Sequence, residues 1–203
     1  MVRPGFLAVF LQLLLGTAFV AGIVHIVSVL SMPLFAPQDA YARVAALAPI
    51  GVPHVLAKPV PGHEVFPFSD PAIAVAVCRF DLSTAPMRIR MKATSDGFLS
   101  VSFHDRRGTV FYAVTDKAAT HGTIEIVVMT PSQLEAAESS DAEDEQPRDL
   151  RVTAPDLTGF VMFRALAARP SAYGEVEGYL KGVACEVERT AALNGSSPAL
   201  ATP

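Results

Sequence analysis

The sequence predicts an α+β protein, an N-terminal transmembrane helix followed by a β-rich antiparallel domain with a C-terminal helix packed on one face. Three observations predict it. Residues 6–30, FLAVFLQLLLGTAFVAGIVHIVSVL, contain no charged side chain, and an apolar run of that length reads as a membrane span. From Ala72 to Pro131 apolar and polar residues alternate in short runs divided by turn residues, the two-residue period of half-buried strands. Near the C-terminus Tyr173, Val176, Leu180, Val183 and Val187 recur at three-four spacing, one apolar stripe along a helix.

The chain has 203 residues and a mean hydropathy of +0.37, with the apolar excess gathered at the N-terminus. At 1.5 Å per residue the 25-residue run makes a helix of about 37 Å, enough to cross a hydrocarbon core of about 30 Å with some tilt. A signal-peptide core needs only about 7 to 15 residues. Ala18 and Ala21 lie inside the run, and Ala40 and Ala42 lie well beyond it, so neither pair suits a signal peptidase. An uncleaved anchor over residues 1–35 is therefore expected. Arg3 and the terminal amine precede the span, whereas Asp39 precedes Arg43 after it. That charge bias puts the N-terminus in the cytoplasm and the remaining chain outside. Gln12 and His25 lie within the span, but their directions differ by about 140°, so they do not share a helix face.

Residues 36–71 form the next part. Pro33 and Pro37 are expected to break the first helix, QDAYARVAALA to form a short one, and Pro49 to end it. Six prolines between Pro49 and Pro71 then disfavour helix and central strand alike. An extended segment wrapped over the domain is the expectation.

The β-rich domain is placed at 72–190. In VAVCRFDL, Cys78, Phe80 and Leu82 face one way and Arg79 and Asp81 the other; in MRIRMK, Met87, Ile89 and Met91 oppose Arg88, Arg90 and Lys92. FLSVSFHDRRGTVFYAVTD reads as a hairpin around Asp105 and Gly108. A bulged turn there pairs Asp105 with Thr109, whereas matching Leu99, Val101 and Phe103 with Val114, Tyr112 and Val110 needs a shift of one, so the register stays open. GTIEIVVM supplies a further strand with Ile124, Ile126 and Val128 on one side.

Residues 132–149 hold seven acids and one base, net minus six in a chain of net minus four, and read as a solvated acidic loop without a calcium-loop pattern. LRVTAP and TGFVMFRALA are either two strands or one broken at Pro155. Ser171 offers an N-cap to the C-terminal helix, with Glu175 and Glu177 suiting its dipole. Residues 191–203 read as a disordered tail.

Cys78 and Cys185 are the only cysteines. In an oxidising compartment an even count favours a disulfide, which across so long a loop stabilises by about 4–5 kcal/mol in the chain-entropy model. An unbroken helix to Val187 opposes this, because it turns Cys185 about 170° from the apolar stripe. The bond requires the helix to end near Gly182 or Cys78 to lie at a sheet edge.

DPAIAVAVCRFDL, MRIRM, SVSFHDRRGTVFYAVTD and GFVMFRALAARPSAY, with a C-terminal cysteine-bearing helix, resemble a family of bacterial single-span envelope proteins known as a domain of unknown function and described as predicted integral membrane proteins. The resemblance runs over about residues 15–187. It implies a bacterial inner-membrane anchor, a periplasmic domain and sometimes a companion domain of unknown function. It carries no catalytic residues, and the acidic run is not part of its pattern.

The residues themselves offer little chemistry. There is no glycine-rich phosphate loop, GxSxG, CxxC or HExxH. No catalytic residue, metal site, cofactor or nucleic-acid partner is expected. His54, His63, His104 and His121 are scattered, and adjacent pairs such as His104 with Asp105 point to opposite strand faces. Arg88, Arg90 and Lys92 form a cationic stripe that could meet anionic headgroups or a glycan, or only blunt a sheet edge. The favoured function is a membrane-anchored module that binds an envelope component or protein partner. The alternative is a periplasmic hydrolase with a site assembled from Asp70, Asp81, His104 and His121. A deep pocket in which two of these converge with a nucleophile favours the enzyme, and a shallow, continuous surface patch favours the module.

Overall fold

The computed structural model describes residues 4–35, 39–93, 97–140 and 150–188. The chain divides into two compact units, one up to Asp39 and one from Ala40. The first is helix α1 (Pro4–Phe35). From Gly5 to Met32 it is long and apolar enough to cross a membrane, and none of that stretch is buried. It continues through Pro33 rather than breaking there, because a proline in the last turn removes one hydrogen bond while its fixed φ suits the helix. Pro37 lies outside the described residues.

The second unit begins with α2 (Ala40–Leu47) and continues through β1 (His54–Val55), β2 (Ile73–Asp81), β3 (Met87–Lys92), β4 (Leu99–His104), β5 (Val110–Thr115), β6 (Thr123–Met129), α3 (Pro131–Ser140), β7 (Leu150–Thr153), β8 (Thr158–Leu166), α4 (Tyr173–Leu180) and β9 (Ala184–Val187). The strands form a five-stranded sheet, β1-β2-β8-β4-β5, and a four-stranded sheet, β7-β6-β3-β9. Neighbours are antiparallel except β6 and β7. The two sheets share one core. Cys78, Phe80, Val101, Phe103, Val161 and Phe163 from the first meet Met87, Ile89, Met91, Ile124, Ile126 and Val128 from the second. These are the apolar sets that the alternation places on one face of each strand.

A second cluster covers the outer face of the five-stranded sheet. Tyr41 and Val44 of α2, with Ala48 and Leu56, pack on Val77, Phe160 and Met162. The Arg79 and Arg106 guanidinium groups lie 4.9 and 4.2 Å from the Tyr41 ring centroid, and the Tyr41 hydroxyl accepts a 2.8 Å hydrogen bond from Arg79. Part of the proline-rich segment packs beside this cluster. Arg43 donates to the Val65 carbonyl at 2.9 Å, which ties the segment to α2, while Val65 and Phe66 pack on the cluster.

The bulged-turn register holds at the hairpin tip, and the alternative match of Leu99, Val101 and Phe103 with Val114, Tyr112 and Val110 does not form. Asp105 N–H donates to the Thr109 carbonyl at 3.0 Å, with Gly108 at φ +85°, and Val101 faces Val114 and Phe103 faces Tyr112. A bulge opposite Phe103 and His104 shifts the pairing by one residue, in the opposite sense to the expected match of Val101 with Tyr112 and Phe103 with Val110. LRVT and TGFVMFRAL prove to be two strands in different sheets.

Two segments differ from expectation. Residues 131–140 of the acidic run are helical, because Thr130 and Gln133 cap the helix reciprocally: Gln133 N–H donates to Thr130 Oγ1 at 3.2 Å and Thr130 N–H to Gln133 Oε1 at 2.9 Å. Residues 141–149 and 191–203 lie outside the described residues. The C-terminal helix is shorter than its stripe. It starts without a side-chain cap from Ser171 and ends at Leu180, after which residues 184–187 pair with β3. Pairing turns Cys185 into the core and leaves Val187 half exposed. Tyr173 and Leu180 of α4 remain buried in the core.

Strand β8 is held tightly between its neighbours at Gly159. A Cβ there would lie 2.3 Å from the His104 carbonyl oxygen and 2.3 Å from the Phe80 ring, so both backbone and core would have to shift. Gly159→Ala is expected to destabilise the domain by about 3 kcal/mol or more. Chemical denaturation followed by circular dichroism measures this, and a loss below about 1 kcal/mol would contradict the packing.

Candidate functional site

The strand register lays three rows of side chains across the outer face of the five-stranded sheet. Val75, Arg164, Ser100 and Thr115 form the first, Val77, Met162, Ser102 and Ala113 the second, and Arg79, Phe160, His104 and Val110 the third. Helix α2 and the wrapped segment cover the β2 and β8 end of these rows. Where their cover stops, a pocket of about 340 Å³ opens. Phe66, Pro67 and Phe68 of the wrapped segment form one wall, and Phe160, Met162, Arg164 and His104 face them from β8 and β4.

The polar groups beside this pocket are ordered by a simple constraint: a guanidinium only donates hydrogen bonds. Arg164 Nη1 donates to Ser102 Oγ at 3.3 Å. The Ser102 proton then goes to its nearer acceptor, His104 Nε2 at 2.9 Å, rather than to the Met162 carbonyl at 3.4 Å. The Gly108 carbonyl only accepts, so His104 Nδ1–H donates to it at 3.0 Å, and in the neutral ring Nε2 is left as the acceptor of the Ser102 proton. The imidazole also stacks on Phe160, 4.6 Å between centroids and 4° from parallel. Burial pushes the His104 pKa down, and Arg164 adds to this; the bond to Gly108 and the Asp105 charge oppose it without outweighing it. A neutral ring fits the assigned tautomer. Burial likewise lowers the Arg164 pKa. Among the described residues no carboxylate forms an ion pair with Arg164.

Phe68 adds an independent feature. It is fully exposed at the pocket's edge and holds φ +60°, the left-handed region that costs a non-glycine residue about 1–2 kcal/mol. Exposure and strain together go unrewarded by packing, and such conformations cluster at binding sites.

Of the four residues considered for a hydrolase, Asp70 and His104 line this one pocket, while the other two lie elsewhere. Asp70 is exposed, its carboxylate accepting from Ala72 N–H at 2.8 Å. Asp81 ends β2 and is held below the usual carboxylate range by hydrogen bonds from Ser83. His121 is exposed in the turn before β6, at φ +52°. The hydroxyl next to His104 belongs to Ser102, which is 4% exposed and does not line the pocket. Ser102 and Arg164 carried no recognisable motif. Only the cross-strand rows bring them beside His104.

The cationic stripe has a different environment from the one the sequence suggests. Strand β3 is internal, between β6 and β9, so its charges do not blunt an edge. Arg88 Nε and Nη2 donate to Glu188 at 2.7 and 2.9 Å, and Nη1 donates to Glu125. Arg90 pairs with Glu125 at 3.2 Å and Glu186 at 3.7 Å. Burial raises the Glu125 pKa, but the hydrogen bonds from Arg88 and Arg90 outweigh it and hold the carboxyl low. Three glutamates thus face Arg88 and Arg90, while Lys92 lies opposite Thr123. Among the described residues no group of histidines, cysteines and acids has the arrangement of a metal site.

Cys78 on β2 and Cys185 on β9 meet across the two sheets, with Cα atoms 6.8 Å apart and the sulphurs placed as a bonded pair. The early end of α4 makes this approach possible.

Residues 53–187 match the model of a family described as proteins of unknown function, DUF1254. Among curated proteins no similar sequence is found. Two crystal structures are similar: the VPA0106 protein of Vibrio parahaemolyticus, 11% identical over 73% of this chain and 34% of its own, with a TM-score of 0.49, and an uncharacterised protein of Burkholderia cenocepacia, 16% identical over 62% and 32%, with a TM-score of 0.42. The chain spans about a third of the length of each.

The lowered His104 pKa fixes the sign of a pH effect. Above the usual histidine value of 6.5 both folded and unfolded rings are neutral. As pH falls through that value the unfolded ring takes up a proton first, so stability declines toward the folded pKa. Thermal melts between pH 8 and pH 5 are expected to show this decline, and His104→Gln to flatten it. An equal slope in the variant would assign the decline to other groups.

Proposed function

From the premise that the chain belongs to the DUF1254 family of proteins of unknown function, we propose that it is a membrane-anchored periplasmic binding module. One helix spans the bacterial inner membrane with its N-terminus in the cytoplasm, and the β-rich domain binds an envelope component or a companion protein. The observation that carries this reading is the stretch from Gly5 to Met32, uncharged and unburied, preceding a domain that has its own core. A soluble protein gains nothing from exposing so long an apolar helix, whereas a bilayer offers it a matching solvent. The bilayer is thus the first partner. The pocket over the five-stranded sheet is the binding site, because its apolar walls are preformed and it holds a few convergent polar groups.

The hydrolase alternative would use Ser102 as nucleophile and His104 as base. Ser102 lies beneath the pocket floor, so the hydroxyl would first have to leave its bonds to His104 and Arg164. Binding therefore accounts for the geometry with less rearrangement. The transmembrane reading is tested by extraction of bacterial membranes with alkaline carbonate and by intact-mass analysis. The chain is expected in the pellet with residues 1–35 retained. Release into the supernatant, or a mature chain starting beyond Ala21, would refute the anchor.

The compartment carries a separate expectation. A stable bond between Cys78 and Cys185 needs an oxidising environment. Alkylation of the denatured, unreduced protein should label neither cysteine, and reduction should release two thiols. Two reactive thiols before reduction would argue for a cytoplasmic domain. The bond closes a separation of 107 residues, so Cys185→Ser is expected to lower stability by about 3–5 kcal/mol.

A further inference from the structure

We propose that the pocket takes a small organic carboxylate, its anion on the Arg164 guanidinium and its apolar body between Phe160 and Met162 on one side and Phe66 and Phe68 on the other. The inference rests on the reading of this pocket as a binding site and names its ligand class. Three observations carry it. Arg164 faces the pocket, is partly buried, and among the described residues has a serine hydroxyl as its polar partner and no carboxylate. A partly desolvated guanidinium gains most from an anion that restores charge-assisted hydrogen bonds. One of its five donors is engaged by Ser102, which in turn is fixed by His104 and the Gly108 carbonyl. The remaining donors keep the planar fork that suits a carboxylate.

The ligand's body follows from the walls. They are aromatic and aliphatic, and the volume of about 340 Å³ is at the small end of ligand pockets, roughly 300–1,000 Å³. His104 supplies no second positive charge, because its Nε2 accepts from Ser102 and its Nδ1–H is spent on a backbone carbonyl. One cation matches a monoanion, so a phosphate dianion would retain an unmatched charge. Asp70 shares the pocket but is exposed at its edge and turned to the Ala72 N–H. Its charge disfavours a second anionic group at that end. Ser102 is a positioning residue in this arrangement, since it acts on the ligand through Arg164.

The test uses the full chain in nanodiscs of zwitterionic lipid, with empty nanodiscs as the blank, and isothermal titration with four probes of one size: phenylacetate, phenylethanol, phenylethylamine and phenyl phosphate. Phenylacetate is expected to bind at about 1 mM or tighter, and the neutral and cationic probes at least about tenfold more weakly. Arg164→Gln should weaken phenylacetate by about tenfold or more while leaving phenylethanol unchanged. Arg164→Lys, which keeps the charge and guards against a folding defect, should retain part of the affinity. Ser102→Ala should weaken phenylacetate by a few-fold only and reduce its preference over phenylethanol. Phenylethanol binding as tightly as phenylacetate would overturn the anion assignment while leaving the pocket a binding site. Tighter binding of phenyl phosphate would overturn the carboxylate. No heat from any probe would overturn both the ligand class and the pocket's role, with the membrane anchor judged separately by carbonate extraction.

Discussion

The outer face of the five-stranded sheet depends on one constraint: β8 is buried on both faces. Its inward residues, Val161, Phe163 and Ala165, belong to the core between the sheets, and its outward Phe160 and Met162 lie under α2. A strand in that position reads as a nearly continuous apolar run, and GFVMF is one. Close packing on two sides leaves no room for displacement, which is why a glycine stands where β8 meets Phe80 and the His104 carbonyl. Because β8 is fixed, Arg164 is fixed as well. It is the next outward residue after Met162, at the point where the apolar cover gives way to the pocket.

That position explains the polar chain beside the pocket. A partly buried guanidinium without any hydrogen bond would be costly, and a full set of protein partners would leave nothing to offer a ligand. Ser102 resolves the conflict by taking one N–H, and His104 resolves the serine's own proton. The backbone carbonyl of Gly108 completes the chain. The hairpin turn therefore matters twice. Its left-handed glycine sets the Asp105 to Thr109 register, and the same residue's carbonyl orients the imidazole.

Much of this fold was legible in the sequence because alternation is a local property. Cys78, Phe80, Met87, Ile89, Val101, Phe103, Ile124 and Ile126 all occupy the core face that their period assigns. The division into two sheets was not legible, since it depends on which strands pair across long separations. The last segment is ambiguous in sequence for a related reason. Val183, Cys185 and Val187 fit a strand of period two as well as the tail of a helical stripe, and only the vacant side of β3 decides between them. The cap at Thr130 and Gln133 was readable, as a Thr followed three residues later by Gln, but the acidic composition after it drew the reading toward a loop. The pocket left no local signal. Ser102, His104 and Arg164 are ordinary residues until the β4 and β8 register sets them side by side.

The two outer faces of the sandwich treat charge in opposite ways, and this difference gives the Arg164 pocket its significance. On the four-stranded sheet Arg88 and Arg90 stand between Glu125 on one neighbour and Glu186 and Glu188 on the other. Each cation has an anion across the strand, at a distance where partial exposure and salt keep the energy modest. The chain thus has the means to neutralise a strand-borne arginine, using nothing more than a glutamate at the facing position. On the five-stranded sheet the positions facing Arg164 are Val75 and Ser100. Neither carries charge, although either lies where a glutamate would neutralise it as Glu125 neutralises Arg90. Packing alone does not call for this choice, since an aliphatic residue at position 164 would extend the apolar floor of Phe160 and Met162. Among the described residues the arginine there is held in orientation by a buried serine and histidine and meets no carboxylate, which is the arrangement the proposed carboxylate ligand would use.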